Sequence, residues 1–388
     1  MSFNSLLDND FYKFTMQYAA VKLYPETQAK YEFINRGEHP FPPGFDKALK
    51  QRIEDMADLS LTRDEKEFLR ITCPYLNPAY LDFLQGYRYD PSEVEVIQNG
   101  NDLSVKIQGH WYRTILWEVP ILSLISELFY ELTGLQRDSD EKVVETVKRK
   151  AESYLDLGVK VAEFGTRRRH SYEVHRLVVE ALKDFGEGSY VGTSNVHFAM
   201  TTGVKPIGTH AHEWFMYHGA RFGFKIANGI GLDRWVNAYH GDLGIALTDT
   251  YTTDVFFTQF NKKLAKLFDG VRHDSGDPVE FAQKTIEHYE KMGIDPLHKT
   301  IIFSDGLNLD KVKRISDATS GKIGISFGIG TNLTNDVGLK PMNIVLKLIS
   351  IAEPDLPWTN VVKLSDEKGK HTGDPKMIRL AKEILEIE

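Results

Sequence analysis

From about residue 136 the chain alternates short β-rich runs with amphipathic stretches at helical spacing, and this alternation leaves few folds open to it. The runs lie at residues 160–164, 189–192, 243–247, 270–272, 300–303, 322–327 and 343–347. A strand joined to the next by a helical crossover pairs in parallel and puts its helix on the outside of the sheet. So many units predict a β/α barrel, in which chemistry gathers at the C-terminal strand ends.

Six of those ends carry polar or glycine-containing clusters: Gly165-Thr166-Arg167, Thr193-Ser194-Asn195, Thr248-Asp249, His273-Asp274-Ser275-Gly276-Asp277, Ser304-Asp305-Gly306 and Gly328-Ile329-Gly330-Thr331. Their recurrence predicts one shared polar pocket.

The first third is less regular. It reads as a helical start over 8–23, a strand over 29–35, a Pro-rich turn at 39–44 and helical segments to 84. Alternation over 94–107 around Asn99-Gly100-Asn101 predicts a β-hairpin. The apolar stretch 116–132, interrupted by Glu118 and Glu127, predicts a buried helix joining two domains. The expected division is an N-terminal α/β domain over 1–135 carrying part of the C-terminal segment, a barrel over 136–350 and a C-terminal segment over 351–388.

With 388 residues, 41% hydrophobic and 26% charged, the chain can bury two cores. A formal charge of -8 gives no basic field for nucleic acid, and Arg167-Arg168-Arg169-His170 is too short to supply one. The single cysteine, Cys73, excludes an internal disulfide or a multi-cysteine metal site and fits a reducing compartment. Without a signal-like start or a membrane-length apolar run, the expected location is cytoplasmic, with no membrane partner.

Three clusters can carry chemistry. Gly328-Ile329-Gly330-Thr331 follows an apolar strand, and its glycines would let backbone N–H groups approach an anion; the alternative is a tight strand-to-helix turn. Ser304-Asp305-Gly306 at a neighbouring end favours phosphate. The turn Gly328-Ile329-Gly330-Thr331 is neither a Gly-Lys-Ser/Thr phosphate loop nor a dinucleotide fingerprint. In Arg272-His273-Asp274-Ser275-Gly276-Asp277-Pro278, Asp277 suits a helix cap, while Asp274 suits a ribose diol or Mg²⁺. Thr209-His210-Ala211-His212-Glu213 is either a His-x-His metal strand or a turn in which one histidine acts as base or phosphoryl acceptor. The metal reading lacks further ligands, with only His273 well placed.

The segments Gly208–Trp214, Gly270–Pro278, Ser326–Thr331 and Asp8–Lys13 occur in the same order as in nicotinate phosphoribosyltransferases, which this chain closely resembles over essentially its full length. The resemblance implies an α/β fold: an irregular β/α barrel with an N-terminal α/β sandwich-like domain, usually in a head-to-tail homodimer with shared active sites. It implies that nicotinate and phosphoribosyl pyrophosphate give nicotinate mononucleotide and pyrophosphate on a salvage route to NAD, coupled to ATP hydrolysis with Mg²⁺. His212 matches the family's phosphorylated histidine and Asp249 the carboxylate orienting it. Tyr12, from the partner subunit, and Phe164 match the aromatics that sandwich the pyridine ring. Arg167 and Arg272 would meet the ring carboxylate or the diphosphate, and Asp274 the ribose and metal. Ser304, Gly306, Gly328, Gly330 and Thr331 would line the 5′-phosphate site. Ser194 stands where the nicotinamide-using sister enzymes carry aspartate, and could donate to a carboxylate.

The chemistry suits these residue types. The pyridine nitrogen already carries its lone pair, so no general base is required. The protein has to hold two anions in line and offset leaving-group charge. A quinolinate enzyme would need a denser set of cations for two carboxylates. A metal-dependent hydrolase would need both His210 and His212 as ligands, and a non-catalytic binding module would keep the pocket without turnover.

Overall fold

The computed structural model describes residues 3–367 and 370–387. It divides into two compact units, Met1–Gly208 with Ile329–Lys347, and Thr209–Gly328 with Leu348–Glu388.

In the first unit the expected hairpin is present as β2 (Val94–Asn99) and β3 (Asp102–His110), with Asn99 opposite Asp102. Gly100 takes the left-handed conformation the tight turn requires, φ 60°. On its other side β3 pairs antiparallel with β1 (Gln28–Asn35). Two parallel strands follow, β4 (Val161–Glu163) and β5 (Tyr190–Thr193), joined by the helix Tyr172–Phe185.

The helix Glu118–Thr133 is buried from Val119 to Tyr130, which leaves its polar residues in need of partners. Ser123 and Ser126 donate to the Thr166 and Arg169 carbonyls, each at 2.7 Å, and Glu127 accepts from Arg169 Nε at 2.6 Å. These bonds tie the β4 turn to the N-terminal part of the chain. The first unit runs on to residue 208. The C-terminal segment, expected in part on the N-terminal domain, falls within the second unit, where Val362, Leu364 and Ala381 pack with Phe224, Ala227 and Tyr251.

The second unit holds the parallel strands β6 (Ile245–Leu247), β7 (Gly270–His273), β8 (Thr300–Phe303) and β9 (Gly324–Ile329), the last ending at the boundary. They lie in the order β9-β8-β7-β6, and Gly270, Thr300 and Gly324 stand side by side. Val271, Ile301, Phe303 and Phe327 fill the core between sheet and helices. The run at 343–347 departs from expectation. It begins a longer strand, β10 (Ile344–Ala352), which is antiparallel to β11 (Thr359–Asn360). Only a short loop links these two, and a parallel crossover takes a dozen residues or more.

Asp8 and Arg169, both fully buried side chains, form a two-pronged ion pair at 2.7 and 2.9 Å, and Asn195 Nδ2 adds a bond to Asp8 at 2.7 Å. Removing one partner strands the other charge away from water. Asp8→Ala is expected to destabilise the first unit by about 3–5 kcal/mol, read from urea unfolding. A loss below about 1 kcal/mol would show the pair to be dispensable.

Candidate active site

Each unit carries one polar cluster at its strand ends. In the first, β4 delivers Glu163 and then Phe164. Glu163 is fully buried and accepts from His175 Nε2 at 2.9 Å, from the Thr193 hydroxyl and from the Gly165 amide. Burial alone would raise its pKa, but His175 and these donors bring it below the ordinary carboxylate range. Its carbonyl accepts from Ser194 N at 2.8 Å, so one residue positions both strand ends. Gly165 is required by close approach, since a Cβ there would lie 1.8 Å from Thr334 Oγ1. Phe164 is half-buried, and its amide donates to Ile329 O at 2.8 Å just before Gly330.

Ser194 is fully buried, and its hydroxyl donates to Asp10 Oδ1 at 2.7 Å. The donor expected to face a substrate carboxylate is thus directed at Asp10 here. Burial raises the pKa of Asp10, with the Arg167 cation opposing. Arg167 pairs with Glu118 at 3.4 Å, and Glu118 also pairs with the buried Lys13. Tyr12, on the helix Phe11–Leu23, is buried within its own chain. Gly330 and Thr331 open the single helical turn Thr331–Thr334.

In the second unit His212 is the first residue of the helix His212–Phe222, and its ring reaches the ends of two strands. Nε2 lies 2.7 Å from Asp249 Oδ1 and 3.5 Å from Asp274 Oδ2. Asp274 Oδ1 accepts from Ser304 Oγ at 2.7 Å, linking the ends of β7 and β8. Arg272 donates to the His210 carbonyl at 3.0 Å. Gly306 sits in the turn beyond β8 with φ 52°, and Gly328 lies within β9. Asp277 fills its capping role, accepting from the amides of Val279 at 2.9 Å and Glu280 at 3.0 Å.

Burial and the Lys363 cation lower the pKa of His212 against the pull of Asp249. Asp249, though fully buried, is held well below the usual range by His212 and Lys363. An ionised Asp249 facing Nε2 places the imidazole proton there and leaves Nδ1 with a free lone pair.

His210 points elsewhere. It is fully buried, edge-on to Phe215 and Trp235 with ring centroids 5.1 and 4.8 Å away. His273 packs against Phe281 and Phe303. The two-histidine metal strand is therefore not formed. His212, Asp249 and Asp274 do converge, offering ligand atoms within 4.8 Å of one another. Only Asp274 among its carboxylates is appreciably open to solvent, which suits a hydrated Mg²⁺ taking one carboxylate oxygen.

Sequence reasoning missed the supporting layer of Glu163 and Asp10 in the first unit and Lys363 and Asp366 in the second. Asp10 was legible as part of Asp8-Asn9-Asp10-Phe11-Tyr12-Lys13. Lys363 and Asp366 lie in an unremarkable C-terminal stretch, and Ser275, although inside a recognised cluster, had no partner assigned.

Comparison with known proteins decides the family. The nicotinate phosphoribosyltransferase family model matches residues 159–388, and the model of that family's N-terminal domain matches residues 7–126. The chain belongs to the nicotinate phosphoribosyltransferase family. It is 59% identical to the nicotinate phosphoribosyltransferase of Chromohalobacter salexigens over 99% of this chain and 98% of that one. A crystal structure of the Porphyromonas gingivalis enzyme superposes with a TM-score of 0.97 at 47% identity, covering 99% of this chain and 100% of the other. A Vibrio cholerae structure gives 0.94 at 35% identity, covering 100% and 95%. Family membership makes the chain an enzyme of NAD biosynthesis whose substrates are nicotinate and phosphoribosyl pyrophosphate. Among the described residues, no helix is long and apolar enough to cross a membrane.

Proposed function

We propose that this nicotinate phosphoribosyltransferase couples transfer to ATP through phosphorylation of His212 at Nδ1. The observation carrying this reading is the 2.7 Å contact between His212 Nε2 and the buried Asp249, which keeps the second ring nitrogen as an acceptor. In the first step Nδ1 attacks the γ-phosphorus, the bond to the β-bridging oxygen breaks, and ADP leaves. The Nε2–H···Asp249 bond offsets the positive charge gained by the ring.

Transfer is a substitution at ribose C1′. The pyridine nitrogen forms the new bond as the bond to pyrophosphate breaks, and no proton moves. Phe164 and Tyr12 would hold the ring, with stacking contributing roughly 0.5–1.5 kcal/mol beyond burial. Arg167 and Arg272 would face the anionic groups, while Ser304, Gly306, Gly328, Gly330 and Thr331 would receive the 5′-phosphate. Asp274 would hold Mg²⁺ and the ribose diol, the metal supplying charge neutralisation when bound. Water then hydrolyses phosphohistidine to imidazole and phosphate, resetting the site. Phosphorylation adds roughly two negative charges at neutral pH. A coupling of ~1–3 kcal/mol would change substrate affinity about 5–150-fold. The near absence of cysteine supports a cytoplasmic setting.

His212→Asn is expected to stay folded and to transfer slowly without ATP stimulation. Wild type incubated with γ-labelled ATP should carry acid-labile, base-stable label on His212. Full ATP stimulation in the variant, or label on another residue, would remove the assignment.

We assign the acid-over-amide preference to Ser194 through the carboxylate it lacks. Nicotinate should be used far more efficiently than nicotinamide, and Ser194→Asp should lower kcat/KM for nicotinate by several kcal/mol at most. Equal efficiency on both bases in wild type would overturn this.

The family resemblance supports a homodimer in which Tyr12 completes the partner's site, although Tyr12 is buried within its own chain. Mixing Tyr12→Ala with Phe164→Ala chains under exchange conditions should restore one intact site per heterodimer. An active monomer, or no recovery on mixing, would place Tyr12 in its own chain's site.

A further inference from the structure

Asp249 orients His212 only if its own carboxylate is fixed, and rotation about the terminal bond of an aspartate is soft. Oδ1 meets His212 Nε2. Oδ2 accepts from Ser275 Oγ at 2.7 Å and lies 3.1 Å from Lys363 Nζ. Ser275 is fixed in turn, because its oxygen accepts the Asp366 amide at 3.1 Å. The Asp366 carboxylate is held by Thr253, whose amide donates at 2.7 Å and whose hydroxyl donates at 2.6 Å.

The local sequence explains how residues 363–366 arrive there. Val362 and Leu364 are fully buried with Tyr251 and Ala381, and the Leu364 amide donates to Thr250 O at 2.8 Å. In an extended segment alternate side chains point to opposite sides, which turns Lys363 towards Asp249. Asp249 is fully buried and Ser275 nearly so, while Ser275, Thr253 and Asp366 also line a cavity of about 560 Å³. Hydrogen bonds fix which of the Asp249 oxygens faces His212.

We propose that Ser275 is a positioning residue for phosphorylation of His212, assisted by Lys363: by occupying Oδ2 of Asp249 they leave Oδ1 as the acceptor for Nε2–H and fix the tautomer that exposes Nδ1. This rests on the phosphohistidine reading above. It adds that the C-terminal segment, through Lys363 and the Asp366 amide, is part of the phosphorylation machinery.

The test compares wild type, Ser275→Ala and Lys363→Met by ¹⁵N resonances of labelled histidine at one pH and by the rate of label uptake from γ-labelled ATP. Ser275→Ala should shift His212 from the Nε2–H tautomer towards a mixture and slow labelling about 10–100-fold, with little change in KM for ATP. Lys363→Met should act in the same direction, so the inference stands if Ser275→Ala fails to fold. A wild-type tautomer signature in both variants would overturn it, as would unchanged labelling rates. If wild type takes no label, the phosphohistidine reading fails, and the ¹⁵N comparison still decides whether Ser275 and Lys363 set the tautomer.

Discussion

A carboxylate removed from water must be surrounded by donors, and each compact unit is organised around one that is. In the first unit Glu163 gathers His175, Thr193 and the Gly165 amide. In the second Asp249 gathers His212, Ser275 and Lys363. Both side chains stand at or just beyond strand ends, where the chain leaves the sheet and amides and hydroxyls become free to turn inward. The demand for satisfaction recruits distant segments: Lys363 lies more than a hundred residues beyond Asp249.

The two carboxylates have different chemical consequences. Glu163 faces a histidine that is itself fully buried, so its network is a scaffold that sets the backbone of Phe164 and Ser194. Asp249 faces a histidine still partly open to solvent, so its network prepares a nucleophile. The same physical rule gives support in one place and reactivity in the other, and the difference is access.

Several residues changed meaning when the neighbours became visible. In one dimension the pair His210 and His212 reads as a metal strand or as a turn holding a phosphoryl acceptor, and only the shortage of further ligands weighs against the metal. The helix beginning at His212 separates the two rings and sends His210 among aromatics. Ser194 reads as a donor to substrate, yet its hydroxyl is directed at Asp10, 184 positions away. The run at 343–347 has the composition of a barrel strand, yet it begins a strand that joins the sheet of β1, β2 and β3.

The sequence by itself determined the α/β class, the parallel strands β6 to β9, the hairpin and the reactive clusters at the strand ends, because periodicity and turn chemistry are local. It also determined the family, whose motifs are short, ordered and chemically specific. Only the tertiary structure decided the domain boundary, the partners of the buried carboxylates and the free nitrogen of His212. Each of these depends on which remote donor meets a given lone pair. Burial makes that choice energetically decisive, and spacing along the chain does not encode it.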